Sequence, residues 1–123
     1  MSHIGIVLTG APWDSERWYT AYRIGKEALN ADHQVTYFHY LDGIYTPIQD
    51  QTLTETSDTG MHSKMPHERF SELMDKGAEI LICGICVEAR GIAPDKMYPD
   101  EVTIGLLPDL ADMIGATDRV ISL

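Results

Sequence analysis

Two residues in this chain have the chemistry and the spacing of a reaction centre: Cys83 and Cys86, its only cysteines, in the run Cys83-Gly84-Ile85-Cys86. They follow the apolar run Ile80-Leu81-Ile82 and precede the polar stretch Glu88 to Arg90. A strand that ends in a thiol at the carboxyl edge of an open α/β sheet is a site candidate, because ligands bind beyond that edge. A thiol reacts as thiolate, and an unperturbed value near ~8.5 leaves it mostly protonated at neutral pH. A short helix beginning near Ile85 would turn its free N–H groups towards Cys83, and Arg90 would add positive charge.

Other readings of the pair stay open. Free cysteine is often a small buried hydrophobe, which suits Cys86 better than Cys83. A disulfide across so short a loop constrains the unfolded chain little, so structural cross-linking is a poor explanation. His62 and His67 would complete a Cys-Cys-His-His zinc set, although the spacing is not that of a zinc finger. Dithiol exchange uses a Cys-x-x-Cys pair, but here the pair follows a third strand instead of opening a thioredoxin fold. Thr9-Gly10-Ala11-Pro12-Trp13-Asp14-Ser15 resembles a phosphate-cradling turn before a helix, with Gly10 at its bend, yet it carries no basic or Gly-rich signature.

The elements that must position these residues alternate strand and helix. His3 to Thr9 reads as a buried strand. Asp14 or Ser15 caps a helix whose apolar positions are Trp18, Ala21, Tyr22, Gly25, Ala28 and Leu29. Gln34 to Tyr40 is the second strand, and the unit is a parallel βαβ crossover. Leu41 to about Met65 shows no periodicity and opens with Asp42-Gly43 beside the site edge, which marks a lid or flexible loop, with Asp42 as a binding candidate. Pro66 starts a second helix with Phe70, Leu73 and Met74 inside and Gly77 at its end. Ala78 to Ile82 then delivers Cys83 to the edge that carries the Thr9 and Tyr40 loops. Val102 to Leu106 forms a fourth strand, Pro108 to Gly115 a third helix with Leu110, Ala111 and Ile114, and Arg119 to Leu123 a last strand built on Val120 and Ile121.

At 123 residues and 44% hydrophobic content the chain holds one core and one domain. With 19 acidic against 9 basic residues the net charge is −10, which disfavours direct nucleic-acid contact and anionic membranes. No run approaches the roughly 20 apolar residues of a bilayer span and Met1-Ser2-His3 is unlike a signal peptide, so a reducing cytoplasm is expected. In that compartment close cysteines signal chemistry more than structure.

The run Leu81-Ile82-Cys83-Gly84-Ile85-Cys86-Val87-Glu88-Ala89-Arg90-Gly91-Ile92 resembles the DsrE/DsrF-like sulfur-relay family, which includes YchN-like proteins and TusD-type subunits. Ile104-Gly105, the Leu107 to Ile114 helix, the ending Ala116-Thr117-Asp118-Arg119-Val120-Ile121 and the opening Gly10-Ala11-Pro12 carry the likeness across nearly the whole chain. The resemblance implies a three-layer α/β/α domain with a mainly parallel five-stranded sheet, assembled as trimers or hexamers, and is nearer to the self-associating YchN-like branch. It also implies a cysteine that carries sulfane sulfur as a persulfide, at the position of Cys83, between donor and acceptor proteins. Cys86 matches a second cysteine found in part of the family. Such exchange follows thiol–disulfide chemistry and calls for no metal or organic cofactor. Arg90 and backbone N–H groups would steady the anionic sulfur. The competing reading is an oligomeric binding module without catalysis, or a Cys83/Cys86 redox switch.

Overall fold

The computed structural model describes residues 1–49, 51 and 60–123. In chain order the elements are β1 (His3–Leu8), α1 (Arg17–Asn30), β2 (Gln34–His39), α2 (Pro66–Asp75), β3 (Glu79–Cys83), α3 (Gly84–Ala89), α4 (Pro94–Met97), β4 (Thr103–Gly105), α5 (Leu107–Ala116) and β5 (Arg119–Ser122). The strands form one sheet in the order β4-β3-β2-β1-β5, with every neighbouring pair parallel. This is the expected five-stranded α/β architecture, with all strand exits on one edge.

Helices cover both faces. Ile6, Leu8, Val35, Tyr37 and Ile80 point towards α1 and α2, where they meet Trp18, Ala21, Tyr22, Phe70 and Leu73. Phe38 and Leu81, on the alternate positions, share the opposite face with Met113 of α5. Gly5 is on that face too, since a Cβ there would lie 3.2 Å from the Met113 Cε. Burial on both faces is why the central strands are largely apolar on both sides, the polar Thr36 and His39 of β2 being buried as well.

Local details differ from the sequence reading where it depended on end chemistry. Neither Asp14 nor Ser15 is the cap of α1; the capping position is Glu16, which makes no side-chain bond, while the Ser15 hydroxyl accepts from Arg17 N–H at 3.3 Å. β3 runs one residue further, through Cys83, and α4 is a single Pro94-initiated turn too short to show a period. Residues 41–49 are packed: Leu41–Tyr45 is a 3-10 turn with Gly43 and Ile44 buried, Ile48 is buried beyond it, and the Tyr98 hydroxyl donates to the Ile44 carbonyl at 2.7 Å. The remainder of the expected lid at 50 and 52–59 lies outside the described residues.

The α5 side also departs from expectation. Ile114 and Val120, read as core, are 51% and 40% exposed, because α5 reaches the sheet through Met113 and partly through Leu110, while β4 and β5 are the uncovered edge strands.

Candidate functional site

β3 carries the chain out of the core and Cys83 is its last residue. With φ −70° and ψ 114° Cys83 keeps an extended backbone and caps α3, so that its Sγ accepts from the Cys86 N–H at 3.4 Å. One turn later Cys86 faces inward, and its Sγ accepts from the Leu41 N–H at 3.2 Å. Both cysteines are free, and both are buried, at 2% and 6% exposure. Cys83 therefore lies at the strand exit but buried, not open at its mouth. Gly84 packs closely on the next strand: a Cβ there would meet Ile104 at 3.0 Å and Leu106 at 3.4 Å. Ile85, between the two cysteines, and Leu41, whose N–H meets Cys86, are 62% and 45% exposed.

The turn after β2 brings the Leu41 N–H to the sulfur and is held from three sides. Leu41 has φ +53°, a left-handed conformation uncommon for a residue with a bulky side chain. The Leu8 carbonyl accepts from Tyr40 N–H at 2.9 Å, and a Cβ on Gly43 would collide with that same carbonyl, so position 43 requires glycine by close approach. Asp42 Oδ1 accepts from Arg90 Nε at 3.0 Å and Nη2 at 2.9 Å, and Arg90 Nη1 donates to the Cys86 carbonyl at 3.1 Å. Asp42, Arg90 and the cysteines thus come together as one cluster, with Arg90 occupied by Asp42 and a carbonyl and bonded to neither sulfur. Gly10 is placed elsewhere: the side chains nearest to it are those of Ser15 and Arg17 at the start of α1.

Burial pushes the Cys86 thiol up, and its hydrogen bond with Cys83 pushes the same way; the Leu41 N–H and the Arg90 charge oppose them. Arg90 is held above its ordinary value chiefly by its hydrogen bond to Asp42.

His39 is the group that sequence reasoning overlooked. It ends β2 in full burial, its Nδ1 2.9 Å from the Gly43 carbonyl and its Nε2 without a partner among the described residues. A carbonyl only accepts, so Nδ1 carries a proton, and burial favours the neutral ring. Desolvation pushes its pKa down to about 4. The signal was a lone imidazole at the end of the apolar run Val35 to Phe38, directly before a turn.

Among the described residues no group of three or more His, Cys, Asp or Glu is placed to hold a metal, and the side chain of His62 is outside that description. No helix among them is long and apolar enough to cross a membrane.

The model of the DsrE/DsrF-like family matches residues 2–123. The chain belongs to the DsrE/DsrF-like family. An uncharacterised protein of Methanopyrus kandleri is 29% identical over 118 residues, which covers 96% of this chain and 91% of that protein. A second, from Methanocaldococcus jannaschii, is 25% identical over 117 residues, 95% of this chain and 96% of its own length. Among solved structures the YchN protein of E. coli superimposes with a TM-score of 0.83 at 24% identity, with both chains covered completely. DsrE-like proteins are generally linked to sulfur relay, and in this member the two free thiols stand at the exit of β3, where the parallel sheet opens.

Proposed function

We propose that the protein carries sulfane sulfur as a persulfide on Cys83 and passes it from a donor protein to an acceptor thiol. The observation that carries this reading is the Cys83 sulfur itself: a free thiol that caps α3 and takes a backbone N–H, in a chain of a family linked to sulfur relay. A sulfur held by a donor favours thiolate and makes a better leaving group. In the first step the Cys83 thiolate attacks the terminal sulfur of the donor persulfide; a new S–S bond forms, the donor's breaks, and the donor leaves as thiolate. In the second an acceptor thiolate attacks that outer sulfur, and Cys83 leaves as thiolate. No net oxidation occurs and no cofactor takes part. Burial of Cys83 requires its surroundings to part for each exchange.

Partners are the donor and acceptor proteins and further copies of this chain, as a trimer or hexamer in a reducing cytoplasm. The apolar residues Leu107 and Ile114 of α5 are 53% and 51% exposed and suit a self-association surface. The aromatic residues of α1 suit it less, since Trp18 and Tyr22 are buried.

A dithiol switch is the second reading, favoured by the closeness of the two cysteines, the Cys86 N–H donating to the Cys83 sulfur at 3.4 Å. Intact mass after incubation with a persulfide donor separates the two. A gain of about 32 mass units that vanishes in Cys83→Ser supports the relay. No gain with an active donor refutes it, and a loss of about two units that needs both cysteines supports the switch.

A further inference from the structure

Cations of this acidic chain gather where α1 meets α2. Tyr19, Tyr22, Arg23 and Lys26 recur at spacings of three and four along α1, and Arg69 of α2 joins them. Together they line a cavity of about 670 Å³ on the α1 and α2 side of the sheet, whereas Cys83 and Cys86 pack with Phe38 and Leu81 on the other side. Aromatic rings, not carboxylates, hold the two arginines. Arg23 Cζ lies 4.9 Å from the Tyr19 ring centroid, and Arg69 Cζ lies 5.0 Å from that ring and 5.2 Å from the Tyr22 ring. Lys26 Nζ is 5.7 Å from the Tyr22 ring. A ring attracts a cation without cancelling its charge. Among the described residues neither Arg23 nor Arg69 has an ion-pair partner, and Lys26 shares Glu72 with Lys64, each at 3.5 Å. Glu27 also lines the cavity and pairs with none of these cations.

Arg69 is buried, at 7% exposure. Its Nη2 donates to the Gly60 carbonyl at 2.8 Å, the Met61 carbonyl at 3.3 Å and the Ser63 hydroxyl at 3.2 Å, all neutral groups, and its Nε has no acceptor among the described residues. A buried charge without a counter-charge is costly, and a buried donor left unmade adds to that cost. With 19 acidic residues against 9 basic, carboxylates are abundant in the chain, yet none is placed against either arginine among the described residues. An anion from outside would supply the missing counter-charge. We propose that this cavity binds a small phosphate monoester of nucleotide size, with Arg23 and Arg69 as the counter-charges of its phosphate. One phosphate monoester brings roughly −1.5 to −2 at neutral pH, which matches two guanidiniums, whereas a single carboxylate would leave one of them uncompensated. The planar guanidinium fork suits phosphate oxygens better than the point charge of a lysine does. Small-molecule sites occupy about 300–1,000 Å³, so the cavity has room beyond the phosphate for an organic part, against Ile24 and the two tyrosine rings.

Isothermal titration calorimetry of the full chain with AMP, adenosine and inorganic phosphate tests it, and reads binding alone, whatever chemistry Cys83 performs. AMP should bind with a dissociation constant of about 1 mM or tighter, inorganic phosphate roughly tenfold more weakly, and adenosine without saturation. Arg23 is exposed, so Arg23→Gln should fold normally while weakening AMP roughly tenfold or more, the effect of losing one hydrogen bond to a charged group. Arg69→Lys keeps the charge and loses the fork, and should weaken AMP by a similar factor if it folds. The absence of saturable binding by AMP overturns the proposal and leaves the cations to another partner, such as an acidic protein surface. Adenosine binding as tightly as AMP overturns it, since the phosphate would then contribute nothing, and phosphate binding as tightly as AMP overturns the nucleotide-sized occupant. AMP binding unchanged in Arg23→Gln overturns it as well, even if Arg69→Lys fails to fold.

Discussion

Acidification should loosen this protein through one residue, His39. The ring is wholly buried between Tyr37, at 5.9 Å between centroids, and Phe70, at 5.1 Å, with its neutral Nδ1–H on the Gly43 carbonyl. A second proton would go to Nε2, which has no acceptor among the described residues. The folded value near 4 lies below the ordinary 6.5, so the neutral ring contributes stability that is complete above about 6.5 and is lost as the pH falls towards 4. At pH 5 an unfolded histidine is almost wholly protonated and the folded one is mostly neutral, a difference of about 1.5 decades in proton binding and about 2 kcal/mol. Urea unfolding at pH 7 and pH 5 measures it, in wild type and in His39→Phe. The substitution should cost stability at both values, since the Gly43 carbonyl loses its donor, but should remove about 2 kcal/mol of the difference between them. Equal acid sensitivity in the two proteins would refute the reasoning.

Three further outcomes follow from the packing. Gly43→Ala drives a methyl into the Leu8 carbonyl and should destabilise by about 1–3 kcal/mol, read as a lower urea midpoint with unchanged slope. Asp42→Ala breaks a pair whose carboxylate is 51% exposed; it should cost less than ~1 kcal/mol in unfolding while exposing Cys86 to faster alkylation, and equal alkylation rates would show that the pair does not hold the turn. Ile114→Asp places a charge on an exposed apolar helix face, so light scattering should record smaller particles with native circular dichroism if this face joins copies of the chain.

Much of the architecture was legible along the chain because its signals are local. Five apolar runs bounded by turn residues, separated by helical spacing, imply parallel strands joined by crossovers, and Cys83 directly after the third run implies a thiol at the carboxyl edge. The pairing of Arg90 with Asp42 was not legible: 48 positions separate them, and each would pass as an ordinary surface charge. Nor was the burial of Cys83, or the outward face of Ile114, whose spacing is that of a buried residue.

By itself the sequence determined the order of elements, the edge on which they open and the two thiols at that edge, since periodicity and turn chemistry act between near neighbours. Only the tertiary structure decided what each thiol meets. The Leu41 N–H reaches Cys86 because β2 and β3 pair in a register that sets His39 beside Ile82, and Gly43 lets the following turn close on Leu8. Those contacts join distant segments through shape and hydrogen-bond direction, which no local pattern encodes.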